Sequence, residues 1–82
     1  MNALIYLQVI STQEIIFQGN VTVARFPGKK SAFSVMKDHA PILSLLEKGF
    51  ITYEGPLGKG KVPVTSGFVQ VRKNEVYACI DQ

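Results

Sequence analysis

One cysteine, one histidine and no long apolar run set the first limits on what this chain can be. Cys79 has no second cysteine with which to close an internal disulfide, so a core has to hold the fold. A small domain without such staples suits a reducing compartment, and the cytosol is the expectation. His39 has no other histidine or cysteine at a ligand spacing, which argues against a metal centre. Its neighbour Asp38 brings a carboxylate, but adjacent residues of an extended chain point to opposite sides, so no catalytic dyad is implied. Apolar runs fall well short of the roughly 18–20 residues that a membrane-crossing helix needs. The start, Met1-Asn2-Ala3-Leu4, has neither the basic stretch nor the apolar core of an export signal. Nucleotide-binding patterns are missing too: no G-x-G-x-x-G occurs, and the glycines between Gly55 and Gly60 precede no helix that would receive a phosphate.

What remains is a chain that has to fold. Its 82 residues are 46% hydrophobic and 18% charged, with seven glycines and four prolines, outside the range of disordered or low-complexity sequences. A chain of this length buries only about 60–65% of its unfolded surface, which leaves one core to build and predicts a single domain over residues 1–82. The net charge is +3, but the basic residues are spread over Arg25, Lys29, Lys30, Lys37, Lys48, Lys59, Lys61, Arg72 and Lys73, mostly at expected turns. Such a spread reads as solvated turn lysines rather than a phosphate-tracking patch.

The apolar periodicity is that of strands. Leu4 to Ile10 places Ile5, Leu7 and Val9 on one face and Leu4, Tyr6 and Ile10 on the other. Ile15 to Gln18 is β-branched and aromatic, Gly19-Asn20 has turn chemistry, and Val21 to Phe26 alternates again. Pro27-Gly28-Lys29-Lys30 predicts a turn and Ala32 to Val35 a short strand. Pro41 biases Ala40 towards extended geometry, and Ile42 to Leu46 suits either one helical turn or a short buried strand. Phe50 to Glu54 and Lys61 to Thr65 predict a hairpin around the Gly55–Gly60 loop, with Pro63 confining its second strand to an edge or a bulge. Phe68 to Val71 and Val76 to Ile80 predict a second, tighter hairpin. Nine or ten short strands with turns this frequent imply an all-β antiparallel sandwich or flattened barrel. The aromatic residues lie among aliphatics, which points to core rather than to a base-stacking platform. Six carboxylates with one histidine and one cysteine offer little that can converge, so catalysis is not expected. The lone cysteine reads as a small, partly buried side chain.

Several ordered motifs give these strands a relative. They are Leu7-Gln8-Val9-Ile10-Ser11, Phe17-Gln18-Gly19, Gly28, His39-Ala40-Pro41-Ile42-Leu43, Leu46-Glu47-Lys48-Gly49 and Ser66-Gly67-Phe68-Val69-Gln70-Val71. In this order and spacing they resemble the N-terminal β-sandwich domain of the epsilon subunit of F-type ATP synthases, from about Leu7 to Asp81. The resemblance implies a ten-stranded antiparallel sandwich and a non-catalytic subunit of the central rotor stalk. Such a subunit binds the gamma subunit and the c-subunit ring and helps couple proton flow to ATP synthesis. It implies no cofactor and no metal, and a place peripheral to the cytoplasmic face of a bacterial inner membrane, reached only through the c ring.

Carried over by position, Ser11, His39 and Ser44 would face gamma, and the turn Gly28, Lys29, Lys30, Ser31, Ala32 would face the c ring. Ala32 stands where the family commonly has an acidic residue, and two lysines precede it, so the turn is expected to meet an acidic or carbonyl-rich surface. Longer relatives continue into a helical hairpin that can brake hydrolysis and in some binds ATP. The expectation here is a short form without brake or nucleotide site. The alternative from another class is a small basic β-barrel that binds single-stranded nucleic acid.

Overall fold

The computed structural model describes residues 3–82 and contains nine strands among them. They are β1 (Ile5–Ile10), β2 (Ile15–Val21), β3 (Val23–Phe26), β4 (Phe33–Val35), β5 (Ile42–Leu46), β6 (Gly49–Gly55), β7 (Gly58–Val64), β8 (Ser66–Arg72) and β9 (Glu75–Asp81). One sheet has the order β2-β1-β9-β8-β5 and the other β4-β3-β6-β7. The two stack as a sandwich, and neither closes on itself, so the barrel alternative falls away. The resemblance implies ten strands, and nine are present among the described residues.

Alternation fixes which side of each strand is buried. Ile5, Leu7 and Val9 of β1 lie with Val69 and Val71 of β8 and Val76, Ala78 and Ile80 of β9 on the inner side of one sheet, and with Ala24, Phe26, Ile51, Val62 and Val64 of the other sheet they form one buried cluster. No polar or charged residue is buried among the described residues, so this core is dry and stabilises through apolar burial alone. Phe17 stacks on Tyr53 across the sandwich with centroids 4.0 Å apart, closing the β2/β6 side.

Four details depart from the pattern reading. First, Gly19-Asn20 is no turn: β2 continues through it, pairing Gly19 with Leu7 and Asn20 with Tyr6. The chain instead changes sheets at Thr22, whose N–H and hydroxyl both donate to the Glu54 carbonyl, at 2.8 and 3.0 Å. Second, β1 and β9 pair in parallel, so the sandwich is not wholly antiparallel. Third, the expected six-residue loop contracts to Pro56-Leu57, with Gly55 pairing Gly58. Fourth, Phe50, Phe68 and Tyr77 lie on outer faces and are exposed rather than core. Ile42–Leu46, open in sequence between a helical turn and a short buried strand, is a strand at a sheet edge with Leu43 and Leu45 exposed, and Pro63 sits on β7, an edge, as expected.

Two glycines are needed where they are. Gly67 in β8 has φ of +151°, and a Cβ there would meet the Cys79 carbonyl oxygen and lie 2.8 Å from the Ile80 Cα. Gly28 faces the Ser31 carbonyl and the Phe33 ring so closely that any side chain would open the turn.

Candidate docking surfaces

The two outer faces of the sandwich differ in character. On the four-stranded sheet, Arg25 donates to Glu54 at 3.0 Å, and the Lys61 ammonium sits 4.2 Å from the Phe50 ring centroid. These are solvated, self-satisfied contacts. On the five-stranded sheet, registered pairs place Ile10 beside Cys79, Cys79 beside Phe68, and Phe68 beside Leu45, an apolar row across four strands. The adjacent row runs Gln8, Tyr77, Gln70, Leu43. The row after it is charged, pairing Tyr6 with Glu75 and Glu75 with Arg72.

The face therefore grades from apolar at the Ser11 end to charged at the other. Leu43 is 71% and Leu45 61% exposed, and Phe68 and Tyr77 are also exposed. Contiguous apolar side chains on a sheet face with no covering layer mark an interaction surface. Tyr77 donates its hydroxyl to Glu75 at 3.3 Å. Partial desolvation first, and the Glu75 carboxylate second, raise its phenol above the ordinary 10.0.

The residues singled out in the sequence do not form one cluster. Ser11 follows β1 and closes the β1/β2 turn: its Oγ accepts from the Gln13 and Glu14 N–H groups at 3.2 and 3.3 Å. His39 is at the opposite end of the sheet. Its N–H donates to the Met36 carbonyl at 3.2 Å, and its Nδ1 lies 2.6 Å from the Ala40 carbonyl, which fixes Nδ1 as the protonated nitrogen. Just before it Asp38, at φ +65°, donates its N–H to Asn74 Oδ1 at 2.8 Å, tying this loop to the β8/β9 turn. The five β9 residues registered with β1, Glu75 to Cys79, lie between the two ends.

Ser44 points from β5 to the inner side of its edge. There it lines, with Lys29, Lys30, Ser31, Phe33, Ile42, Leu43 and Leu45, a groove of about 500 Å³. The structure thus joins Ser44 to the Lys29–Ser31 turn and separates it from Ser11 and His39. The turn is held by the Lys29 N–H donating to the Leu45 carbonyl and the Glu47 N–H donating to the Pro27 carbonyl, both at 2.9 Å. Gly28 is buried at this bridge to Leu46, while Lys29, Lys30, Ser31 and Ala32 are exposed.

Pattern reading missed the apolar row, although a signal for it existed. Ile10, Phe68 and Cys79 are outward members of strands whose inward side chains, among them Leu7, Val69 and Ala78, are also apolar, the mark of a strand covered on both sides. Among the described residues no group of three or more His, Cys, Asp or Glu converges on a metal-sized site.

A β-sandwich with a dry core and one uncovered apolar face is a domain that presents surfaces to other proteins. Residues 4–82 match the family described as ATP synthase, Delta/Epsilon chain, beta-sandwich domain, and the chain belongs to that family. It is 37% identical over 76 residues to the ATP synthase epsilon chain of a Nitratiruptor species, covering 92% of this chain and 59% of that one. It is 39% identical over 72 residues to the epsilon chain of Wolinella succinogenes, covering 87% and 55%. It therefore spans little more than half the length of these relatives. Among solved structures, a chain of the Euglena gracilis mitochondrial ATP synthase (OSCP/F1/c-ring) shares the fold with a TM-score of 0.89 at 21% identity, covering 100% of this chain and 53% of that one. A chain of the Tetrahymena thermophila mitochondrial ATP synthase central stalk and c ring does so with a TM-score of 0.79 at 12% identity, covering 94% and 63%.

Proposed function

We propose that this chain acts as the β-sandwich part of a central-stalk subunit of an F-type ATP synthase. In this reading it docks on the gamma subunit and the c ring, helps couple proton flow to ATP synthesis and carries no catalytic group of its own. It works at the cytoplasmic face of a bacterial inner membrane and reaches the membrane only through the c ring. The observation that carries the reading is the uncovered apolar row Ile10, Cys79, Phe68 and Leu45, which suits a large, flat partner lying across the five-stranded sheet.

A partner of that breadth also accounts for Ser11 and His39 standing at opposite ends of one face, with the Ser11 hydroxyl and the His39 Nδ1 bonded within their own loops. The Gly28–Ala32 turn projects Lys29 and Lys30 at the β5 edge, in a position to meet an acidic or carbonyl-rich surface of the c ring. The Lys29 and Glu47 N–H groups bond the turn to the β5 end, and β5 pairs with β8 of the sheet face, which ties the two proposed docking regions to one core.

The test is reconstitution of the ATP synthase with and without this chain. It should co-purify with the gamma subunit, bury on the order of 1,000 Å² or more, and raise proton-driven ATP synthesis. Failure to associate with gamma would overturn the reading. Replacing Lys29 and Lys30 together by glutamate tests the turn separately: assembly with the c ring should weaken, and unaltered assembly removes the turn from the interface.

A further inference from the structure

The four sheet edges are not equally protected. The β7 edge carries Lys59, Lys61 and Pro63, residues that discourage strand addition, and β4 is only three residues long. The β2 and β5 edges, Ile15–Val21 and Ile42–Leu46, both lack a charge, and β5 is the one whose flanking groove is lined by a lysine pair, Lys29 and Lys30. In an antiparallel pair the N–H and C=O of alternate residues point to the same side. The Leu45 carbonyl accepts from Lys29, so Leu45 and Leu43 turn their backbone groups away from β8. The Pro27–Lys29 bridge covers only the Leu45–Glu47 end of this edge. That leaves the Leu43 N–H, the Leu43 carbonyl and the Leu45 N–H as a short open ladder. Pro41, which has no N–H, bounds it on the other side. Beside the ladder runs the groove of about 500 Å³, with apolar Phe33, Ile42 and Leu43 in its lining and Lys29 and Lys30 at its lip.

We propose that this open half of the β5 edge takes an extended acidic segment of a neighbouring ATP synthase subunit as an added strand. Main-chain bonds to Leu43 and Leu45 supply affinity, as in other strand-addition sites, and alternate side chains supply specificity. One side chain of the guest enters the apolar groove while a flanking carboxylate meets Lys29 and Lys30. No carboxylate lines the groove, so its charge is complemented only from outside. A second copy of this chain is a poor guest for the same reason, since it would bring its own lysine pair and an uncharged strand.

The inference rests on the reading of the chain as an ATP synthase subunit, and the experiment separates the two. Hydrogen–deuterium exchange is measured at single-amide resolution on the free chain and on the chain in the reconstituted complex. Leu43 and Leu45 amides should exchange at least tenfold more slowly in the complex, and the Lys29→Glu/Lys30→Glu variant should lose most of that protection while still binding gamma through the sheet face. If the chain assembles but these amides exchange as in the free chain, strand addition is overturned while the subunit assignment stands. If it does not assemble at all, the subunit assignment fails and this proposal with it. Protection that instead grows with the concentration of the free chain would identify a second copy as the guest and overturn the acidic segment.

Discussion

Replacing Gly67 by alanine should lower the melting temperature more than the same change at Gly58, and the difference is set by one contact. Both glycines have positive φ, +151° and +125°. Holding a side-chain-bearing residue in such a region costs on the order of 1–3 kcal/mol, a cost the two share. Their surroundings differ. A Cβ at Gly58 meets nothing within 4 Å, whereas one at Gly67 runs into the Cys79 carbonyl and stands 2.8 Å from the Ile80 Cα. Those are backbone atoms of β9, the strand that joins β8 to β1 at the centre of the sheet, so they cannot swing aside as a side chain would. Overpacking of this kind adds roughly 1–3 kcal/mol. For a domain of this size each kcal/mol moves the melting temperature by about 4–8 °C. Gly67→Ala should therefore melt roughly 5–20 °C below Gly58→Ala. Thermal unfolding followed by circular dichroism measures both. Melting temperatures equal to within about 3 °C would refute the claim that β8 and β9 are too closely packed for a side chain at Gly67.

Two further outcomes follow from the core and from the outer face. Leu7→Ala removes a fully buried side chain from the middle of β1 and should cost about 2–5 kcal/mol in denaturant unfolding, the usual range for such a cavity. For Tyr77, partial desolvation and the Glu75 carboxylate raise the phenol above 10.0. The folded chain then holds that proton more tightly than the unfolded one, so the contribution is present below pH 10.0 and is lost as the pH rises through the folded value. Glu75→Gln should bring the phenolate absorbance transition of Tyr77 down towards 10.0, and a transition that does not move would show that Glu75 has no part in the shift.

The features legible in the sequence were those fixed by local chemistry. Pro63 could not donate to a central ladder, and it lies on an edge; Lys73-Asn74 closes the β8/β9 hairpin with Lys73 at φ +53°. Ile42–Leu46 is ambiguous in sequence because five apolar residues suit two conformations, and what decides for a strand is its register with β8, more than twenty residues away. Gly19-Asn20 misleads for the converse reason. Its turn propensity is overridden by ladder bonds to β1, with the Phe17 ring lying close over Gly19. The parallel β1/β9 pairing joins the two ends of the chain and leaves no local trace.

The candidate residues follow the same division. Motif order places Ser11, His39, Ser44 and the lysine turn along the chain, but their distances in space depend on sheet order. Only the fold puts Ser44 with Lys29 and Lys30 and sets Ser11 and His39 at opposite ends.

The most direct measurement is the affinity for the gamma subunit when the apolar row is made polar. Leu45 and Phe68 are each roughly half exposed in the free chain, so covering the remainder contributes about 1–2 kcal/mol apiece. Leu45→Ser combined with Phe68→Ser should then weaken binding roughly 30-fold to 700-fold by calorimetry, while Lys61→Ser on the opposite sheet leaves it unchanged. Unchanged affinity in the double variant, or an equal loss with Lys61→Ser, would contradict the assignment of the five-stranded sheet as the docking face.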